Sequence, residues 1–177
     1  MVAITSLPRT MHHRPGRLIR QNVDMDDNDE GTLLNRLETF IGQWTMSAQF
    51  PGAPPIGTMG LTTFEWSLEG QFLLQHSEFS EPGPPEGLMI IGPNAESVNY
   101  TQHYFDSRGV ARLYAMTFDG DLWTLQREMA DFTPLDFRQR FIATFSEDRS
   151  AINGRWEQSH DGATWEQNFE LMYRTIL

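Results

Sequence analysis

Hydrophobic and polar residues alternate along most of the chain after residue 42, which is typical of strands because successive side chains point to opposite faces of a sheet. Two such runs, 98–105 and 110–118, flank the tetrad Asp106-Ser107-Arg108-Gly109, whose turn-forming residues predict a β-hairpin. Ten segments share the pattern and are predicted strands: 42–50, 58–68, 71–79, 87–91, 98–105, 110–118, 122–129, 136–145, 151–159 and 164–174.

One segment before the strands has helical spacing instead. Thr32 can cap a helix of about three turns, and Gly42 ends it. Its apolar positions are Leu33, Leu34, Leu37, Phe40 and Ile41. A short helix followed by ten meandering antiparallel strands predicts an all-β, up-and-down, lipocalin-like barrel over residues 31–177, since closure removes the sheet edges. A two-sheet sandwich is the alternative.

The large apolar residues indicate which face of each strand points inward. The aromatic residues expected to face a central cavity and contact a ligand are Trp66, Tyr114, Trp123, Phe141, Trp156 and Phe169. The polar residues on the same predicted faces are Gln75, His103, Arg112, Arg127, Gln139, Gln158 and Gln167. Two segments leave the choice of face open, because Phe72, Leu74 and His76 compete with Gln75, and Tyr100 and Tyr104 oppose His103.

A few polar groups among apolar ones are typical of a ligand cavity. Arg112 and Arg127 can clamp a ligand oxygen or reach into water with buried stems, and Tyr114 can donate to a developing oxyanion or simply pack. His103 can be satisfied by hydrogen bonds, act as acid or base, or ligate haem. Gln139 can orient a carbonyl. If the cavity is catalytic, we expect Arg112, Tyr114, His103 and Gln139 to carry the reaction.

Composition excludes several other chemistries. The chain has no cysteine, which excludes disulfides and thiolate metal sites, and its net charge of -11 argues against binding nucleic acid. No glycine-rich phosphate loop precedes a helix, and His12-His13 is too short a metal-binding motif by itself. We therefore expect no metal and no cofactor, and a monomer or homodimer whose partner is a small hydrophobic molecule.

Residues 1–30 differ from the rest. Four arginines and no acidic residue occur before residue 24, and an acidic run follows over residues 24–30. The segment is either a disordered leader or a basic lid that folds over an acidic barrel. No apolar run is long enough to span a bilayer or to resemble a signal peptide, so a soluble, cytoplasmic protein is expected.

Several motifs resemble those of small, uncharacterised bacterial lipocalin-like (calycin) proteins. They are Gly42-Gln43-Trp44, Thr63-Phe64-Glu65-Trp66, His103 to Gly109, and Gly154-Arg155-Trp156-Glu157 followed by Asp161-Gly162 and Trp165. The resemblance implies a barrel whose cavity holds a small hydrophobic or amphipathic molecule. Haem-binding barrels of the nitrobindin type are also similar, but their late-strand haem ligand has no counterpart in the last predicted strand.

By architecture alone, the chain is similar to the spirotetramate and spirotetronate cyclases, which catalyse Diels–Alder-type cycloadditions in natural-product biosynthesis. That similarity implies a cofactor-independent cyclase or isomerase, with the N-terminal tail closing the cavity as a lid. A non-catalytic carrier is the alternative.

Overall fold

The computed structural model describes residues 27–54, 56–80, 83–94, 97 and 99–176. The described residues form one α-helix, a short 3₁₀ helix and ten strands. The helical elements are α1 (Asp27–Leu37) and the 3₁₀ helix Glu38–Phe40. The strands are β1 (Gly42–Gln49), β2 (Ile56–Ser67), β3 (Phe72–Phe79), β4 (Gly87–Asn94), β5 (Asn99–Asp106), β6 (Ala111–Phe118), β7 (Leu122–Arg127), β8 (Arg138–Phe145), β9 (Ala151–Ser159) and β10 (Glu166–Thr175).

The ten strands close into one antiparallel barrel in which each strand pairs with its neighbours in sequence. Pairing of β1 with β10, from Trp44 opposite Thr175 to Gln49 opposite Glu170, completes the circle. The predicted all-β, up-and-down barrel is therefore confirmed, and the sandwich alternative is wrong. Closure leaves no unpaired strand edge in the sheet.

Helix α1 begins at Asp27, earlier than the predicted cap at Thr32. Residues 1–26 lie outside the described residues, so the lid remains a prediction. Leu33, Leu37 and Phe40 are buried and fix the helix against the barrel.

Phe40 enters one end of the barrel and is the centre of an aromatic cluster. Its ring centroid lies 4.9 to 5.3 Å from those of Phe64, Phe118, Trp123 and Phe145. We call this cluster of five rings the plug, and the barrel end that it fills the closed end. Such a cluster excludes water and holds the helix in place through edge and tilted ring contacts.

Hydrogen bonds attach the helical segment to the strands at the closed end. Trp44 Nε1 donates to the carbonyl of Phe40 at 2.8 Å, and the Tyr100 hydroxyl donates to the carbonyl of Leu33 at 2.8 Å. Trp66 Nε1 donates to Glu38 Oε1 at 2.9 Å. Phe40 is the last residue of the 3₁₀ helix, where backbone carbonyls need partners from elsewhere.

The strands are joined by short turns at the closed end and by longer loops at the opposite, open end. The open-end loops are 50–55, 80–86, 107–110, 128–137 and 160–165. One closed-end turn holds Leu68 and Glu69 at φ of 50° and 59°. Leu68, the last residue of the predicted strand 58–68, is 70% exposed because it lies in this turn and not in β2. Within the described residues, no helix has the length and apolar character needed to cross a membrane.

Candidate ligand cavity

A cavity of about 560 Å³ lies inside the barrel, between the plug and the open end. Its size is within the range of small-molecule sites. Most of its wall is aromatic or aliphatic, and it includes Met89, Leu125, Phe141, Trp156 and Leu171. The rings of Phe141 and Trp156 are 5.1 Å apart, so they form one continuous apolar wall.

The deepest part of the cavity, here called the floor, is formed by Gln75, Gln102, Trp123 and Tyr173. All four side chains are buried. The Gln75 side chain lies beside the Tyr173 hydroxyl, and the rings of Trp123 and Tyr173 are 6.2 Å apart. Among the described residues, no partner is present for the side-chain oxygens of Gln75 and Gln102 or for Nε1 of Trp123. The floor is therefore polar but incompletely hydrogen-bonded.

Tyr114 projects from the wall above the floor and donates to Gln139 Oε1 at 3.0 Å. Burial raises the pKa of Tyr114 far above its usual value, because the phenolate would lose its hydration. The hydroxyl consequently stays protonated and remains a hydrogen-bond donor at any physiological pH. Its ring lies 5.6 Å from that of Trp156, which fixes its position in the wall.

Tyr104, Asp106 and Arg108 form a hydrogen-bonded group at the open end. Burial alone would raise the pKa of Asp106, but hydrogen bonds from the Arg108 side chain, the Val110 and Arg108 amides and Tyr104 lower the pKa to about 2. The pKa of Tyr104 is raised to about 12, mainly by burial and to a lesser extent by the neighbouring Asp106 carboxylate. Asp106 thus remains ionised and holds the β5–β6 turn in place.

Arg112 lies at the same end and lines the cavity. Its Nη1 donates to the carbonyl of Ala111 at 3.0 Å and to Thr133 Oγ1 at 2.7 Å. These bonds anchor the guanidinium group beside the cavity, where a planar fork of donors suits a carbonyl or carboxylate oxygen. A ligand-clamping role for Arg112 remains a prediction.

Arg127 was expected to clamp a ligand, but the structure pairs it internally. Its Nε donates to Asp131 Oδ2 at 2.7 Å and its Nη2 to Asp131 Oδ1 at 3.0 Å. Both side chains are almost completely buried, and Arg127 also donates to the carbonyls of Pro134 and Phe137. Hydrogen bonds from Arg127 lower the pKa of Asp131 strongly. Arg127 is therefore an anchor for loop 128–137 and does not line the cavity.

The predicted face of β5 is also wrong. Tyr100 and Gln102 are buried and Tyr104 lines the cavity, so the alternate residue His103 points to the outer surface. The His103 ring lies 6.4 Å from that of Phe132 in loop 128–137. The physical reason is that the phenols of Tyr100 and Tyr104 find partners on the inner side, in the Leu33 carbonyl and Asp106.

Three further residues predicted to face inward lie outside the cavity. Trp66 is at the closed end, where its indole binds Glu38, and Gln158 pairs with Gln139 and Glu166 in the sheet near the open end. Gln167, on β10, is exposed. The predicted residues that do line the cavity are Gln75, Arg112, Tyr114, Trp123, Gln139, Phe141, Trp156 and Phe169. Their roles in binding or catalysis remain predictions.

The sequence analysis missed Gln102, Tyr104 and Met89 as cavity residues. Tyr100 and Tyr104 were the available signal, since two large aromatic residues four positions apart lie on one face of a strand and favour burial of that face. The prediction for β3 placed Gln75 inward, and the structure agrees.

No match was found to any known family model or curated protein. The closed ten-stranded antiparallel barrel is consistent with a lipocalin-like fold. Membership of the calycin-like family therefore remains a prediction.

One polar cluster lies outside the cavity. His76, Glu78 and Glu86 present ligand atoms within 4.8 Å of one another, and His76 Nε2 is 2.6 Å from Glu86 Oε1. Imidazole with two carboxylates is a donor set that can hold a divalent ion. All three side chains are at least partly exposed, and the expectation of no bound metal stays untested.

Proposed function

We propose that this protein binds a small hydrophobic or amphipathic molecule inside the barrel. The observation that carries the proposal is the cavity of about 560 Å³, which lies between the aromatic plug and the open-end loops. Small barrels whose interiors are filled by side chains have no such space. Burying apolar ligand surface against Phe141, Trp156 and Leu171 would supply the main favourable free energy, at about 25 cal/mol per Å².

Adjacent residues of β4 provide a matched test. Met89 lines the cavity, whereas Leu88 points outward and is 39% exposed. The test measures the affinity of the neutral, environment-sensitive dye N-phenylnaphthylamine by fluorescence. We expect Met89→Trp to weaken dye binding at least about tenfold, because the larger side chain occupies ligand space, and Leu88→Trp to leave it unchanged. Absence of dye binding to the parent protein would contradict the proposal.

A second candidate function is cofactor-independent cyclisation or isomerisation in the same cavity, as part of a biosynthetic pathway. It is supported by hydrogen-bond donors in an otherwise apolar cavity, namely the Arg112 guanidinium and the Tyr114 hydroxyl, which would exchange its bond to Gln139 for one to the substrate. Donors fixed in a low-dielectric site can polarise a substrate carbonyl while the walls hold the chain in a reactive conformation.

The two functions differ in what the protein releases. Compounds extracted from the parent protein and from Tyr114→Phe, both purified from the native host, would be compared by chromatography and mass spectrometry. A carrier should release the same compound from both. An isomerising cyclase should release the product from the parent and its unreacted isomer from the variant, with equal mass and different retention.

A further inference from the structure

Three buried polar atoms at the floor lack hydrogen-bond partners among the described residues. They are Oε1 of Gln75, Oε1 of Gln102 and Nε1 of Trp123, in side chains of residues only 1%, 2% and 1% exposed. Leaving a buried donor or acceptor unpaired is unfavourable, so such groups usually have a partner or a function. All three residues line the same cavity.

Strand pairing places the two glutamines on one wall. Gln75 of β3 is opposite Met89 of β4, and Gln102 of β5 is opposite Ile91 of the same strand, so one strand separates the two amides. Trp123 belongs to β7, and its ring lies 6.2 Å from that of Tyr173, whose hydroxyl is beside Gln75. The two amides and the indole therefore surround the end of the cavity that is nearest to the plug.

The chemistry of these atoms restricts what can meet them. The indole nitrogen only donates a hydrogen bond, and the two amide oxygens only accept one. A complementary group must therefore accept one hydrogen bond and donate another. A hydroxyl or a primary amide does both, whereas an ether or ester only accepts.

The charge distribution adds a second restriction. The charged residues that line the cavity are Arg108 and Arg112, at the open end, and none of the described floor residues is ionisable except Tyr173, whose pKa burial raises strongly. An ionised head at the floor would lose its hydration without an opposite charge nearby. The group that contacts the floor is thus expected to be neutral.

We infer that the ligand enters with a neutral head that both donates and accepts hydrogen bonds, of the alcohol or primary-amide class, and that its apolar body points toward the open end. This inference rests on the proposed binding function and specifies the ligand class and its orientation. The glutamines and Trp123 then act as specificity determinants, and the apolar walls supply most of the affinity.

Displacement of N-phenylnaphthylamine by three probes of similar length tests the head group. Decanol donates and accepts, its isomer nonyl methyl ether only accepts, and decanoate is charged at neutral pH. We expect decanol to bind about tenfold more tightly than either of the others, the order of one or two neutral hydrogen bonds. If the dye binds and the three probes compete equally, the inference fails while the proposed function stands.

Variants identify the atoms that are responsible. Gln102→Leu should reduce the decanol-to-ether preference to about one without lowering the midpoint of thermal unfolding, because it removes a buried unpaired amide. Gln126→Leu is the matched control, since Gln126 is on β7 with its side chain exposed, and it should keep the parent's preference. An unchanged preference in Gln102→Leu, and also in Trp123→Phe, would overturn the inference. Failure of the parent to bind either the dye or decanol would overturn the proposed function as well.

Discussion

The two ends of the barrel are built differently. At the closed end, the plug rings are within about 5 Å of Phe40, and Tyr100 and Trp44 bind backbone carbonyls of the helical segment. At the open end, longer loops, ion pairs and a cavity replace close packing. We therefore expect the closed end to carry most of the stability and, under the proposed function, the cavity toward the open end to carry binding. Ligand-binding regions commonly come from the less stable parts of a fold.

The largest effect is expected from removing the centre of the plug. Phe40→Ala should lower the free energy of unfolding by about 3 to 5 kcal/mol, because it deletes a completely buried ring and leaves a cavity among four aromatic neighbours. Urea denaturation followed by tryptophan fluorescence measures the change.

Phe132→Ala is the matched control at the open end. Phe132 is 59% exposed, so its truncation should cost less than about 1 kcal/mol. Similar losses for the two variants would contradict the assignment of stability to the closed end.

The next largest effect concerns the buried ion pair between Arg127 and Asp131 at the open end. Arg127→Met should cost about 3 kcal/mol, because it leaves the buried carboxylate of Asp131 without its charged partner. Arg149→Met, which breaks an exposed ion pair with Asp121, should cost less than about 1 kcal/mol. Equal costs by urea denaturation would show that burial of the Arg127 pair is not important.

The Arg127 pair also shows where sequence reasoning stops. Alternation in β7 correctly predicted that Arg127 faces inward, but its partner depends on loop 128–137 folding back over the barrel end, which no strand pattern reveals. Arg127 and Asp131 are four residues apart, as on a helix, yet neither is helical. The strand pattern therefore indicated that Arg127 binds a ligand, whereas its partner in the structure is the carboxylate of Asp131 in the loop.

Elements with one clearly apolar face were predictable. β9 has the predicted bounds, Ala151–Ser159, and the helical spacing of Leu33, Leu37 and Phe40 correctly marked buried residues. In β5, aromatic and polar residues occur on both faces, so the strand pattern does not indicate which face points into the barrel. Contacts between residues distant in sequence decide it. Tyr100 binds the Leu33 carbonyl, 67 positions away, and that contact turned His103 outward.

A smaller effect on stability is expected from low pH, which protonates Asp106 at the open end. The pKa of Asp106 is lowered from 3.8 to about 2 in the folded protein, so the group favours folding above about pH 4 and loses this contribution as the pH falls toward 2. Asp106→Asn should cost about 1 kcal/mol at neutral pH, a value reduced for the solvent exposure of Arg108.

The test is urea denaturation of both proteins between pH 5 and about pH 2. The difference between the parent and Asp106→Asn should shrink as Asp106 becomes protonated in the parent. A constant difference would mean that the carboxylate charge contributes nothing. Asp148→Asn is a comparison at the closed end, where Ser146 and Ser150 lower the pKa of Asp148 to about 2 without an ion pair.

The smallest effect on stability is expected from removing one tyrosine hydroxyl at each end of the barrel. Tyr100→Phe removes a buried hydrogen bond to the Leu33 carbonyl, and Tyr114→Phe removes one to the Gln139 amide beside the cavity. Each should cost about 0.5 to 1.5 kcal/mol, with the larger loss for Tyr100, because the Gln139 side chain can find another partner at the cavity surface. Ligand binding should respond in the opposite order. Tyr114→Phe should weaken decanol binding, because Tyr114 lies beside the cavity, and Tyr100→Phe should leave it unchanged. If Tyr100→Phe weakened decanol binding as much as Tyr114→Phe did, the two ends would be coupled and the division between a stabilising end and a binding end would be wrong.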